Sequence, residues 1–363
     1  MSTSPFMTPG DRGRRRERSR RRRRRRRALL AGALAVAIIA AVVVVALAQS
    51  HTGRRSGGGG ARAAQTGQAV RSRAPALSPS GLLLGKPALS LTGIAAPQRD
   101  PVQVAFQSPP RAGLLFNLST GQVLWQRNAY RRLRIASLTK MMTALLTVES
   151  APPNAPVLVT RQAVEAAGSK VGVLPLGRRV RLESMLYGLL LPSGNDAAMA
   201  LAQHVAGSAR RFVERMNAMA AKLGMGCTRY SSPSGYVDQG NYSCAADLAM
   251  LAHVDLEQPR IASIVRTFTA ALPFPIKGGK LYLYNNNPLL IYGYPGLTGL
   301  KTGYTMAAGK CLVATAERHG VRLGVVLLNS LDPATQARHL LDSGYADVYH
   351  QAPVPEPPIP AGA

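Results

Sequence analysis

Between Ala28 and Ala48 the chain runs 21 residues without a charged side chain, and eight consecutive arginines, Arg20–Arg27, abut the N-terminal end of that run. A helix of this length reaches about 32 Å, enough to cross a hydrocarbon layer of about 30 Å. Only His51, Arg54 and Arg55 follow closely on the other side. Such asymmetry holds the N-terminus in the cytoplasm and carries everything after residue 48 across the membrane. The stretch has no polar face, unlike most core helices. A cleaved signal peptide is the alternative, because Ala46-Leu47-Ala48 reads as an A-x-A cleavage site. The run exceeds the usual apolar region of a signal peptide, roughly 7–15 residues, and this favours an uncleaved, single-pass transmembrane anchor. In the cleaved alternative the protein is secreted.

This topology explains a charge that would otherwise point to nucleic acid. The net charge is +28. Residues 1–27 contribute +11 of it (13 Arg against Asp11 and Glu17), residues 28–112 contribute +7, and residues 113–363 contribute +10. The arginine block has no aromatic side chain between Arg12 and Arg27 on which a base would stack. Beside a span it orients the chain and attracts anionic lipid, so no nucleic-acid partner is expected.

The remaining sequence divides by composition. Residues 49–108 are rich in Gly, Ser, Ala, Pro and Arg, with Gly57–Gly60 in a row, and read as a solvated linker. Residues 349–363 form a Pro-rich tail that is not expected to fold. Residues 109–348 remain as one two-lobed domain. Leu114-Leu115-Phe116 and Val123-Leu124-Trp125 flank a Ser-Thr-Gly turn and predict a hairpin. Residues 311–315 and 323–328 flank Arg318-His319-Gly320 and predict a second. Helical spacing recurs at 137–148, 182–191, 195–206, 209–223, 245–254 and 334–343. Strands at both ends with helices between predict an α/β (α+β) domain: an antiparallel sheet built from both termini, flanked by helices, with a helical lobe inserted.

Three short motifs carry chemistry. Ser137-Leu138-Thr139-Lys140 is an S-x-x-K, which on a helix puts both side chains on one face. A serine hydroxyl needs an adjacent base, and a lysine serves when desolvation or a nearby cation disfavours its ammonium form. Alone, the pattern also fits a helix cap beside a solvated lysine. Ser193-Gly194-Asn195, an S-x-N, presents a hydroxyl and an amide after an apolar run, suited to a proton relay and to a substrate amide, or equally to a helix cap. Lys301-Thr302-Gly303 suits a carboxylate, its glycine letting a substrate backbone lie against a strand edge, or else makes an ordinary turn.

What decides is the set: each motif occurs once, in the order S-x-x-K, S-x-N, K-T-G, with 53 positions from Lys140 to Ser193 and 106 from Asn195 to Lys301. With these motifs the chain resembles the penicillin-recognising serine enzymes. The longer strings IASLTKMMTA (135–144), YGLLLPSGND (187–196) and GLKTGYT (299–305) narrow the resemblance to the low-molecular-mass penicillin-binding proteins that are D-alanyl-D-alanine carboxypeptidases. It covers roughly residues 110–348 and implies the serine β-lactamase/D,D-peptidase, or transpeptidase-like, fold. It further implies that Ser137 is the nucleophile, Lys140 the general base and Ser193 a proton relay. Asn195, Lys301, Thr302, Gly303 and Tyr304 would bind substrate, Lys301 and Thr302 by gripping its terminal carboxylate. The N–H groups of Ser137 and Tyr304 would form an oxyanion hole. The substrate would be a peptidoglycan stem peptide ending in D-Ala-D-Ala, β-lactams would acylate Ser137, and neither metal nor cofactor would be needed.

Two departures bear on the pocket. Thr298 stands where the family often has Asp, and Asn285-Asn286-Asn287 stands for an N-x-N pattern that makes Asn285 and Asn287 candidate pocket-edge residues. Three other readings compete. A class A β-lactamase needs a glutamate beginning E-x-x-L-N between the second and third motifs. None of Asp196, Glu214, Asp238, Asp247, Asp255 or Glu257 does so. A zinc peptidase needs a ligand cluster, whereas the six His are scattered and His253-Val254-Asp255 reads as a helix residue beside a surface carboxylate. An inert cell-wall-binding protein of the same fold would not be expected to keep every motif side chain. The topology puts all three cysteines outside the membrane, where Cys227 and Cys244 flank a polar loop and are a candidate pair that a thiol count would test, while Cys311 reads as a core thiol.

Overall fold

The computed structural model describes residues 89–94, 100–236 and 239–352. The expected cytoplasmic segment, membrane span, most of the linker and residues 353–363 of the tail lie outside the described residues, and no described helix is long and apolar enough to cross a membrane.

The chain opens with β1 (Ala112–Asn117) and β2 (Val123–Arg127). After β3 (Leu133–Arg134) a single 3₁₀ turn, Ala136–Thr139, runs into α1 (Lys140–Ser150). Next come β4 (Pro156–Leu158), α2 (Arg161–Val164), β5 (Arg179–Arg181), α3 (Leu182–Leu190), α4 (Asn195–Ala206) and α5 (Ala209–Lys222). Beyond β6 (Tyr242–Ser243) lie α6 (Ala245–Leu256) and α7 (Pro259–Val265). The hairpin β7 (Thr269–Pro273) and β8 (Lys280–Tyr284) precedes α8 (Pro288–Ile291). The chain then closes with β9 (Leu297–Thr305), β10 (Gly309–Arg318), β11 (Val321–Ser330) and α9 (Pro333–Ser343).

One antiparallel sheet in the order β2-β1-β11-β10-β9 joins the two ends of the domain, as the sequence predicts, with Leu114 opposite Val326 and Val313 opposite both Lys301 and Val326. Alternation along each strand divides the core in two. Leu114, Phe116, Val313, Val326 and Leu328 face the helical lobe, where α1 lies buried along nearly its whole length. Leu115, Leu312, Val325 and Leu327 pack under α9 through Ala337, Leu340 and Leu341.

Three expectations need correcting. The linker gives way to folded chain before residue 109. Val102, Val104 and Phe106 alternate with exposed neighbours and cover the sheet, with Val102 N–H bonded to Leu124 O and the Phe106 ring edge-on to Trp125. The composition average over 49–108 masks this period-2 run. Asp100, in the same stretch, accepts from the N–H and side chain of Gln126. The tail likewise begins late, for Asn117 donates to Tyr349 Oη at 2.6 Å. Asp255 is not a surface carboxylate. It is fully buried on the core side of α6, where burial raises its pKa well above the ordinary carboxylate range, while neighbouring His253 meets Leu118 O.

Cys227 and Cys244 form a disulfide, Cα–Cα 5.7 Å, that closes the loop before α6, and Cys311 keeps a buried thiol in β10.

Candidate active site

Ser137 stands in the 3₁₀ turn that leads into α1, and in that geometry residues three apart eclipse one another. Lys140 Nζ therefore reaches back to 2.8 Å from Ser137 Oγ. Ala136, the residue before the serine, has φ +47°, a left-handed conformation costly for a side chain and held only by its surroundings. Its carbonyl accepts from Thr139 Oγ1, and Asn241 donates to the same hydroxyl. Gly235 packs so closely on that carbonyl that no side chain would fit there.

Lys140 is fully buried yet hydrogen-bonded three ways: to Ser137 Oγ, to Asn195 Oδ1 at 2.7 Å and to Ser234 O at 2.9 Å. Burial and the neighbouring Lys301 ammonium hold its pKa well below the usual lysine range, against an opposing pull from Asp196. A neutral amine has two N–H donors and one lone pair. Asn195 and Ser234 take the donors, leaving the lone pair for the Ser137 hydroxyl.

The second motif is clasped by a loop. Asn195 N–H bonds Ser169 O at 2.7 Å and Asn195 Nδ2 bonds Ala167 O at 2.6 Å. The Asp196 carboxylate takes the N–H groups of Val171, Gly172 and Ala197. Both polar atoms of the Asn195 side chain are thus engaged, so it holds Lys140 and the loop rather than presenting an open amide. Ser193 sits at φ +65° and lines the cavity, its buried Oγ without a partner among the described residues.

The third motif lies within β9 itself. Gly303 packs against the 3₁₀ turn, and a Cβ there would fall 2.9 Å from Ile135 O and 3.1 Å from Ser137 N. Glycine is what lets the strand approach the N–H of Ser137. Lys301 is 1% exposed, bonds Thr302 O at 2.9 Å, and burial lowers its pKa to about 7. Thr298 pairs with Thr315 inside the sheet.

A cavity of about 290 Å³ opens over these groups, lined among others by Ser137, Ser169, Ser193, Thr302, Tyr304 and Lys310. Lys140, Lys301 and Asn195 sit behind its wall. Asn285 and Asn287 are not at its edge. The first ties Val265 O and Thr267 O, and the second caps α8. It is the exposed Asn286 between them that lines the cavity. Ser169, Ser234, Asn286 and Lys310 escaped sequence reasoning. Ser234 contributes a main-chain carbonyl, which residue type cannot signal, and the others arrive from loops and a strand end distant in sequence.

The comparisons with known proteins converge on one family. Residues 102–331 match the family model described as D-alanyl-D-alanine carboxypeptidase, Peptidase_S11. The chain is 32% identical over 276 residues to the D-alanyl-D-alanine carboxypeptidase DacF of Bacillus subtilis, covering 74% of this chain and 70% of the relative. It is 36% identical over 246 residues to DacB2 of Mycobacterium tuberculosis, covering 66% and 83%. Among solved structures, the Streptomyces K15 DD-transpeptidase superposes with a TM-score of 0.63 at 28% identity, over 67% of this chain and all of that one. A D-alanyl-D-alanine carboxypeptidase of Mycobacterium tuberculosis superposes with a TM-score of 0.64 at 33% identity, over 70% and 97%.

Proposed function

The chain belongs to the D-alanyl-D-alanine carboxypeptidase family, and from that premise we propose that it is a membrane-tethered serine carboxypeptidase that removes the terminal D-alanine of peptidoglycan stem peptides. The observation that carries the reading is the threefold hydrogen bonding of the buried Lys140, which leaves a neutral amine one lone pair, aimed at Ser137 Oγ.

Ser137 Oγ attacks the carbonyl carbon of the penultimate D-alanine as its proton passes to Lys140 Nζ. The developing oxyanion is received by the N–H groups of Ser137 and Tyr304, a role supported by the close approach of the strand to Ser137 N at Gly303. Lys140 then returns its proton through Ser193, whose otherwise unpartnered hydroxyl faces the cavity, to the leaving D-alanine nitrogen. Water attacks the acyl-enzyme, Lys140 takes its proton, and the shortened peptide leaves with Ser137 restored. A penicillin acylates the same oxygen. No carboxylate lines the cavity among the described residues to activate a deacylating water, which favours a persistent penicilloyl-enzyme over β-lactamase turnover.

The test is release of D-alanine from a D-Ala-D-Ala peptide, measured alongside labelling by a fluorescent penicillin. Ser137→Ala is expected to lose both, with release falling at least about a thousandfold. Rapid penicillin turnover without D-alanine release would instead mark a β-lactamase, and neither signal in the wild type an inert cell-wall-binding protein.

A further inference from the structure

Lys301, the lysine of the third motif, is 1% exposed and contributes nothing to the cavity wall; the lysine that does line the cavity is Lys310. Lys310 stands at the start of β10 directly opposite Tyr304. Residues opposite each other in an antiparallel pair share a sheet face, so Lys310, Tyr304 and Thr302 present their side chains on the same side. Thr302 is the diagonal neighbour of Lys310, roughly 7–8 Å away between Cα atoms, a gap within reach of a lysine side chain. Lys310 Nζ makes a single hydrogen bond, to Leu331 O at 3.1 Å, and no ion pair among the described residues. Two ammonium protons therefore remain for a ligand. Among the described residues no acidic side chain lines the cavity to neutralise it. An unpaired cation and a hydroxyl on one face, beside the nucleophile, make a receptor for an anion.

Resting on the carboxypeptidase reading, we propose that Lys310 is the cation that pairs with the C-terminal carboxylate of the substrate, the Thr302 hydroxyl donating to the same group. Lys301 then acts from beneath, through its field on Lys140 and on the bound carboxylate. The charge on the leaving D-alanine becomes a condition of tight binding, so Lys310 sets a preference for substrates that end in a free carboxylate over those that are capped or extended.

The experiment compares the full-length protein with Lys310→Met and Lys310→Arg on two substrates, a peptide ending in D-Ala-D-Ala and the same peptide as its C-terminal amide. In Lys310→Met, kcat/KM for the free acid is expected to fall roughly tenfold or more, chiefly through KM, as for a lost charge-assisted hydrogen bond. Release of D-alaninamide from the amide should stay at the wild-type rate, which also shows that the variant is folded, and Lys310→Arg should recover most of the loss. The proposal is overturned if Lys310→Met leaves the free-acid rate intact or lowers both substrates alike. A wild type that releases no D-alanine, and so matches Ser137→Ala, would overturn the carboxypeptidase reading and this proposal with it.

Discussion

In the proposed mechanism two buried lysines set the chemistry, and they need opposite protonation states. Lys140 must be neutral to accept the Ser137 proton, and burial together with Lys301 favours that form. Lys301 must be charged to supply that field, yet burial brings its pKa down to about 7. The signs follow: kcat/KM rises with pH as Lys140 loses its proton, then falls as Lys301 loses its own near pH 7. A pH profile of D-alanine release should therefore be bell-shaped. In Lys301→Arg the descending limb should move to higher pH, because a guanidinium does not deprotonate in that range. An unmoved descending limb would exclude Lys301 as its origin. At this scale the S-x-x-K and K-T-G motifs were legible because both chemistries depend on residue type at fixed spacing. The engagement of Asn195 with Lys140 and Ala167 was not, since an amide's partners lie on other segments.

The element that completes the site is the loop between Cys227 and Cys244. It supplies Ser234 O to Lys140, Pro233 O to Thr143 on α1 and the close contact of Gly235 with Ala136. The disulfide closes this loop over a separation of 17 residues, a length for which lost loop entropy corresponds to about 3 kcal/mol. Cys227→Ser with Cys244→Ser is expected to lower stability by roughly 2–4 kcal/mol in urea unfolding. The acylation rate should also drop in the still-folded protein, because Lys140 loses a fixed acceptor. Equal acylation before and after reduction would mean that the loop holds Ser234 without its crosslink. Helix limits came out within about two residues of the sequence expectation because caps, prolines and apolar spacing act locally. The exception matters most: Ser137 lies in a 3₁₀ turn, not an α-helix, and β9, distant in sequence, packs against this turn at Gly303.

For the whole molecule, charge and chemistry are separate. The proposed anchor and its arginines account for +11 of the net +28, and the two lysines of the motifs add little to it. The full-length chain should sediment with membranes and resist extraction by high salt, whereas residues 49–363 should stay in the supernatant. Salt-extractable full-length protein would point to surface attachment by the arginine block alone. By itself the sequence pointed to the candidate nucleophile and base, the two terminal hairpins, the principal helices, a candidate disulfide pair and the family, because these depend on residue identity and short-range spacing. It also framed the expected membrane topology, through the length of one apolar run and the charge beside it. Only the tertiary structure decided which groups share the cavity. It folded residues 100–108 onto the sheet, turned Asp255 inward, put Asn286 rather than its neighbours at the rim, buried Lys301 and left Lys310 exposed. The physical reason is one throughout: burial and strand register are fixed by contacts between segments far apart in the chain, and no local pattern encodes which face such a contact will cover.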